Sequence, residues 1–377
     1  MKKEQTPIVF TAKMKRIVIK IGSNLLASAE EGLNTERLHA LTKDIADVAD
    51  MGHKVVIVSS GAVAAGLKKL GLKEKPKDIK LKQAAAAIGQ SSLMWAYEEN
   101  FAGFHKKVAQ VLLTKDDITN RRRYINAKNT LFTLLSYDVI PVINENDPVV
   151  VDEIKFGDND MLAALVSSLV EADMLIILSD VEGLYTKDPL RKDAELIECV
   201  DEITSDIEKS AGGAGSAVGT GGMYSKILAA KQANSQGIPV VIMSGKKKGL
   251  LSRLLHGERT GTYFQPKSQR LSSKKGWIAY GVKSKGVLYL DDGAVNALTT
   301  KGKSLLPSGI LNIEGEFEVG DYVRCVNKDG KKVAKGPTNY SSKELDRIKG
   351  RKTSEIEKTL GYKYSDEAIH RDNLVVV

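Results

Sequence analysis

Four groups of polar residues stand directly after apolar runs: Lys20-Ile21-Gly22-Ser23, Ser59-Ser60-Gly61, Asn144-Glu145-Asn146-Asp147 and Ser179-Asp180. A fifth, Gly157-Asp158-Asn159-Asp160, opens a helix-like stretch. Such residues are ordinary turn formers, so one group alone means little. The last feature is Val218–Lys226, VGTGGMYSK, at the end of a segment in which six of the eleven residues from Gly212 to Gly222 are glycine. Glycine inside an element costs roughly 0.5–1 kcal/mol relative to alanine, so this segment is either a loose connector or a surface shaped for a ligand. Bare backbone N–H groups can approach an anion, a helix N-terminus adds about half a positive charge, and Lys226 adds a full one. The spacing departs from G-x-x-x-x-G-K-[ST], because Lys226 follows serine.

The elements that must position these groups alternate along the chain. RIVIKIGS (Arg16–Ser23) reads as a strand, and TERLHALTKDIADVADMG as a helix ending at Gly52. KVVIVSS, KVAQVLLT, VIPVINEND, MLIILSD and IPVVIMSG read as further strands, the last as the final one. Between them QAAAAIGQSSLMWAYEENF, YINAKNTLFTLLSYD, NDMLAALVSSLVEAD and YSKILAAKQANSQG read as helices. Continuous Val/Ile/Leu strands separated by helices predict a parallel sheet covered on both faces. Ligands of such sheets bind outside the carboxyl ends of the strands, which is where the polar groups fall. Four of them on one edge imply a shared site.

At 377 residues the chain can hold two or three domains. No apolar run approaches the roughly 18 residues that cross a bilayer, and the first sixteen residues are too broken for a secretory signal, so a cytoplasmic protein is expected. Cys199 and Cys325 are far apart and outside any C-x-x-C pattern, which argues against a disulfide framework or a zinc cluster. The net charge of +9 is uneven, since residues 267–377 hold 21 Lys and Arg against 14 Asp and Glu. A basic module suits nucleic acid, but a solvated lysine-rich face gives the same count.

The motifs IVIKIGSNLL, VIVSSGAVAAG, VINENDPV, FGDNDMLAA, LSDVEGLYTKDP and GTGGMYSKILAA occur in an order that resembles the amino-acid kinase family, and within it the glutamate 5-kinases. The resemblance covers residues 14–265. It implies a three-layer αβα sandwich around a largely parallel sheet and transfer of the ATP γ-phosphoryl group to the γ-carboxylate of L-glutamate, the opening step of proline biosynthesis. Lys20, Lys226 and Asp160 match the family's catalytic residues, which implies two lysines approaching the phosphoryl group from opposite sides and Asp160 placed to hold and orient them. Ser60, Asp147 and Asn159 match its glutamate contacts. Lys20, Ser179, Asp180, Thr220, Gly221, Gly222, Met223, Tyr224, Ser225 and Lys226 match its ATP-binding positions, with Tyr224 standing where many members carry a smaller residue. Mg²⁺ is expected with ATP, and no dedicated metal cage is recognisable.

Residues 276–365 resemble the PUA domain, a small β-barrel module known elsewhere for binding RNA. RNA is therefore a candidate partner, beside a homo-oligomer and a reductase that consumes glutamyl phosphate; no membrane partner is expected. The alternatives are a kinase of the same fold acting on N-acetylglutamate, aspartate, carbamate or UMP, or a regulatory RNA-binding protein with an inactive kinase domain.

Overall fold

Unbroken apolar runs make the centre of the larger sheet because no face of it meets water. In the computed structural model, which describes residues 14–28, 30–72, 78–149, 159–211, 222–266 and 284–376, strands β1 (Arg16–Ile21), β4 (Lys54–Ser59), β7 (Met174–Ser179) and β9 (Val240–Ser244) are buried along nearly their whole length. A strand buried on both faces needs no polar alternation, hence RIVIKI and MLIILS. The chain divides into two compact units, Met1–Arg270 and Leu271–Val377.

The first unit holds an eight-stranded sheet in the order β5-β6-β4-β1-β7-β9-β10-β8, completed by β5 (Lys107–Leu113), β6 (Val139–Glu145), β8 (Cys199–Val200) and β10 (Thr262–Phe264). All its pairings are parallel except β10 with β9. A hairpin of β2 (Ala27–Ser28) and β3 (Gly32–Leu33) follows β1. The helices are α1 (Ser23–Leu26), α2 (Thr35–Asp50), α3 (Ala62–Lys69), α4 (Ile79–Ala102), α5 (Lys115–Thr119), α6 (Arg121–Ser136), α7 (Asn159–Leu169), α8 (Ser205–Ser210), α9 (Met223–Asn234) and α10 (Leu250–Leu255). Isoleucine, leucine and valine from β1, β4, α2 and α4 share one core cluster.

Three details differ from the sequence reading. The first strand stops at Ile21, and Ser23 already starts a helix after Gly22, whose N–H bonds the Leu178 carbonyl of β7. β9 is not the last strand, because three residues at 262–264 add an antiparallel partner too short to show a period. Helix α4 begins earlier than its alanine-rich run, at Ile79, after the N-cap Asp78, whose side chain accepts the Lys80 N–H.

Helices α3 and α4 cross at closest range through glycine. A Cβ on Gly66 would lie 1.8 Å from the Ala85 carbonyl oxygen, and one on Gly89 would lie 1.8 Å from that of Ala62. This crossing brings α4 against the turn that leaves β4. There Gly61 has φ +105°, a left-handed conformation that L side chains rarely adopt.

The second unit carries a five-stranded, mostly antiparallel sheet in the order β12-β11-β13-β14-β15 (Ile310–Glu314, Gly286–Leu290, Tyr322–Val326, Lys332–Pro337, Val375–Val376). Leu288, Val323, Tyr340 and Ile369 fill its core. The thiol of Cys325 is buried there and pushed up to about 12 by desolvation, which makes it inert packing. Cys199 is free and exposed.

Candidate active site

Strands β6, β4, β1 and β7 are consecutive neighbours and run parallel, so their carboxyl ends open on one edge. That edge gathers Asn144, Ser59 and Ser60, Lys20, and Ser179 with Asp180. Helix α7 starts there too, and its first two residues divide the site between them.

Asp160 faces the charged half. Its Oδ1 lies 2.6 Å from Lys20 Nζ, the two side chains being 0% and 1% exposed. Its Oδ2 lies 3.3 Å from Lys226 Nζ and accepts the Ser225 hydroxyl at 2.8 Å. One carboxylate thus holds two lysines, from β1 and α9, in a place that water barely reaches. Burying these charges is tolerable only because they are paired, and the trio keeps a formal surplus of one positive charge for an anion. Helix α9 begins after Gly222, an extended N-cap whose residue offers no side-chain acceptor, so the first-turn N–H groups have no side-chain cap.

Asn159 faces the neutral half. Its Nδ2 donates to the Ser59 carbonyl at 2.6 Å, to Ser60 Oγ at 3.0 Å and to Asn144 Oδ1 at 2.8 Å. Asn144 Oδ1 also accepts the Glu145 N–H at 2.9 Å, and Asn144 Nδ2 donates to Gln90 Oε1 of α4 at 2.7 Å. Tyr97, one further stretch along α4, is fully buried with its hydroxyl 2.9 Å from Ser59 Oγ; burial pushes its phenol well up, against the pull of that serine's hydrogen bond, so it stays protonated. Ser60 accepts from Asn159 and keeps its own O–H to give away.

Asp147 opens a single 3₁₀ turn, Asp147–Val149, directly after β6 and against α4. Burial raises its carboxyl above the ordinary aspartate value, with Lys82 of α4 pulling the other way. At the end of β7 Ser179 Oγ donates to Asp180 Oδ1 at 3.2 Å and Asn24 Nδ2 to Asp180 Oδ2 at 3.4 Å. Burial opposes charge on Asp180, but the bonds from Asn24, its own N–H and Ser179, with Lys246 nearby, outweigh it and lower the pKa.

The structure therefore brings Lys20, Asp160 and Lys226 into one ion cluster, and Ser60 and Asn159 into one amide network. It engages Ser225 on Asp160. Met223 and Tyr224 are half-buried in the first turn of α9. Thr220 and Gly221, with residues 212–219 and with Gly157 and Asp158, lie outside the described residues. Sequence reasoning gave no role to Gln90, Tyr97 or Asn24. Gln90 and Tyr97 sit in an alanine-rich helix, where nothing but the α3–α4 crossing marks the face that meets the site.

The family model described as the amino acid kinase family matches residues 15–244, and that of the PUA domain matches residues 286–360. Proteins named glutamate 5-kinase are similar over nearly the whole chain. The one from Syntrophotalea carbinolica is 53% identical over 97% of this chain and 98% of its own length. That from Geobacter sulfurreducens is 52% identical, again over 97% and 98%. That from Caldanaerobacter subterraneus subsp. tengcongensis is 53% identical over 96% and 98%.

Proposed function

The chain belongs to the amino acid kinase family, and on that premise we propose that it transfers the γ-phosphoryl group of ATP to the γ-carboxylate of L-glutamate, giving L-glutamyl 5-phosphate and ADP for proline biosynthesis. The observation that carries this reading is the adjacency of Asn159 and Asp160, which joins an amino-acid pocket to a phosphate-neutralising pair of lysines within one helical turn.

A glutamate side chain is already ionised at neutral pH, so its oxygen attacks phosphorus without a general base. What the site must do is bring two anions together in line and neutralise the charge that spreads over the moving phosphoryl oxygens. Lys20 and Lys226 are assigned that work, and Asp160 fixes their positions before substrate arrives, so that no reorganisation is needed at the moment of transfer. The bond from the acceptor oxygen to phosphorus forms as that to the ADP oxygen breaks. Mg²⁺ bound with ATP would offset phosphate charge beside these lysines. Among the described residues no three His, Cys, Asp or Glu side chains gather into a cation cage.

The nucleotide is assigned to Ser179, Asp180 and the segment Thr220–Lys226. The zwitterionic end of glutamate is assigned to Asp147, Ser60 and Asn159. An anion, a hydroxyl donor and an amide acceptor match an ammonium and a carboxylate. N-acetylglutamate would bring no ammonium to Asp147. The kinase domain is assigned to 14–265 and the PUA domain to 276–365, with RNA, a homo-oligomer and an acyl-phosphate reductase as proposed partners. A cytoplasmic location is part of the proposal; no helix among the described residues is long and apolar enough to cross a membrane.

The test is turnover of ATP with free glutamate in the presence of hydroxylamine, across a panel of acidic substrates. A γ-glutamyl hydroxamate is expected, because the free acyl phosphate cyclises through its own amine. Release of ADP with glutamate and no trappable hydroxamate would sink the assignment.

A further inference from the structure

Glutamate at neutral pH carries one group that can donate hydrogen bonds, its ammonium, since both carboxylates only accept. The amide of Asn159 is oriented with its nitrogen inward, because the Ser59 backbone carbonyl, an acceptor and nothing else, lies 2.6 Å from Nδ2. Its Oδ1 makes no hydrogen bond among the described residues and is left as an acceptor. Resting on the glutamate reading above, that oxygen can serve substrate only by accepting from the ammonium.

With the Ser59 carbonyl, a directed chain keeps Asn159 in this orientation. Asn144 presents Oδ1 to Asn159 while its other face, Nδ2, points away and donates to Gln90 Oε1 at 2.7 Å. Asn144 is 3% exposed, so water is no substitute partner for that amide. Without Gln90, both Nδ2 hydrogens would be buried and unbonded, a state that costs enough to make Asn144 turn and seek partners. Gln90 itself is buried, and its Nε2 has no hydrogen-bond partner. A glutamine kept in a dry site with half its amide idle is kept for its other half.

We propose that Gln90 is a positioning residue for amino-acid specificity: through Asn144 it locks Asn159 with its carbonyl oxygen toward the substrate ammonium. Gln90 touches no reacting atom. It acts through the chain Gln90, Asn144, Asn159, and so on glutamate and not on ATP.

The experiment compares Gln90→Met, which keeps shape but removes the acceptor, with Gln90→Glu, which keeps an acceptor oxygen for Asn144. For Gln90→Met the KM for glutamate should rise roughly tenfold, the scale of one lost hydrogen bond to a charged group, with kcat and the KM for ATP within about twofold to threefold. Gln90→Glu should recover most of that loss. Glutarate, which lacks the ammonium, should inhibit wild type and Gln90→Met with the same Ki. A glutamate KM unchanged in Gln90→Met overturns the proposal, as does a parallel rise in both KM values with a lowered melting temperature, or an equal loss of glutarate affinity. Wild-type protein that turns over no glutamate would instead remove the functional reading beneath it.

Discussion

The two halves of the site are built on opposite principles. Around Asp160 three charged side chains are buried together, and their mutual attraction fixes them. Around Asn159 the groups are neutral, and direction is fixed by which atoms are donors and which acceptors. Charge pays no heed to direction but acts strongly on a phosphoryl group whose charge is changing. Neutral hydrogen bonds are weaker and tell an ammonium from a carboxylate. The difference predicts that damage to the first half lowers kcat and damage to the second raises the KM for glutamate.

The harshest test of the charged half is Asp160→Ala. It leaves two lysines, at 1% and 7% side-chain exposure, facing each other without an anion. Removing one partner of a buried ion group costs about 3–5 kcal/mol of stability, read from urea unfolding, and turnover should fall beyond the unfolded fraction. If Asp160→Ala unfolds like wild type, the lysines are not held as described.

Lys226→Ala comes next. A charge aimed at the transition state should cost roughly 10²–10³ in kcat with both KM values little moved. Steady-state kinetics on folded protein checks this, and an intact kcat would place phosphoryl stabilisation elsewhere.

Asp147→Ala should show the opposite pattern. The carboxylate is half-buried, so its pairing with the ammonium is set at the low end for buried pairs, about 2 kcal/mol, or about thirtyfold in the KM for glutamate. A fall in kcat at unchanged glutamate KM would erase the contrast between the halves.

The smallest effect is one of pH, and its sign follows from the raised carboxyl of Asp147. Binding the ammonium needs the ionised form, so as pH falls through the raised value glutamate affinity should drop up to tenfold per unit, starting above the pH where an ordinary aspartate titrates. Stability moves the other way. The folded state binds its proton more readily than the unfolded chain, so this group stabilises the fold as pH falls through the raised value and the contribution is lost as pH rises above it. Asp147→Asn should therefore be at least as stable as wild type at neutral pH and should lose this part of the pH dependence of the glutamate KM. If that dependence persists in Asp147→Asn, another group carries it.

The alternation of buried strands and helices was legible in the sequence because a strand covered on both faces must be apolar throughout, as RIVIKI and MLIILS are. So was the polar edge, because the strand ends stop being apolar at Ser59, Asn144 and Ser179. Residue identity determined which chemistry was on offer: lysines and glycines for phosphate, Asp147 for an ammonium. Who holds whom was implied by the family resemblance and decided by the tertiary structure, not by local sequence. Lys20 and Lys226 come from β1 and α9, and nothing in their local sequence says that one carboxylate on α7 serves both, since ion pairing depends on distance in space. Gln90 was hidden for a related reason. In QAAAAIGQ every position but Gly89 suits a helix, and the face that matters is set by Gly66 and Gly89, which let α4 approach α3 closely enough for the Gln90 amide to reach Asn144.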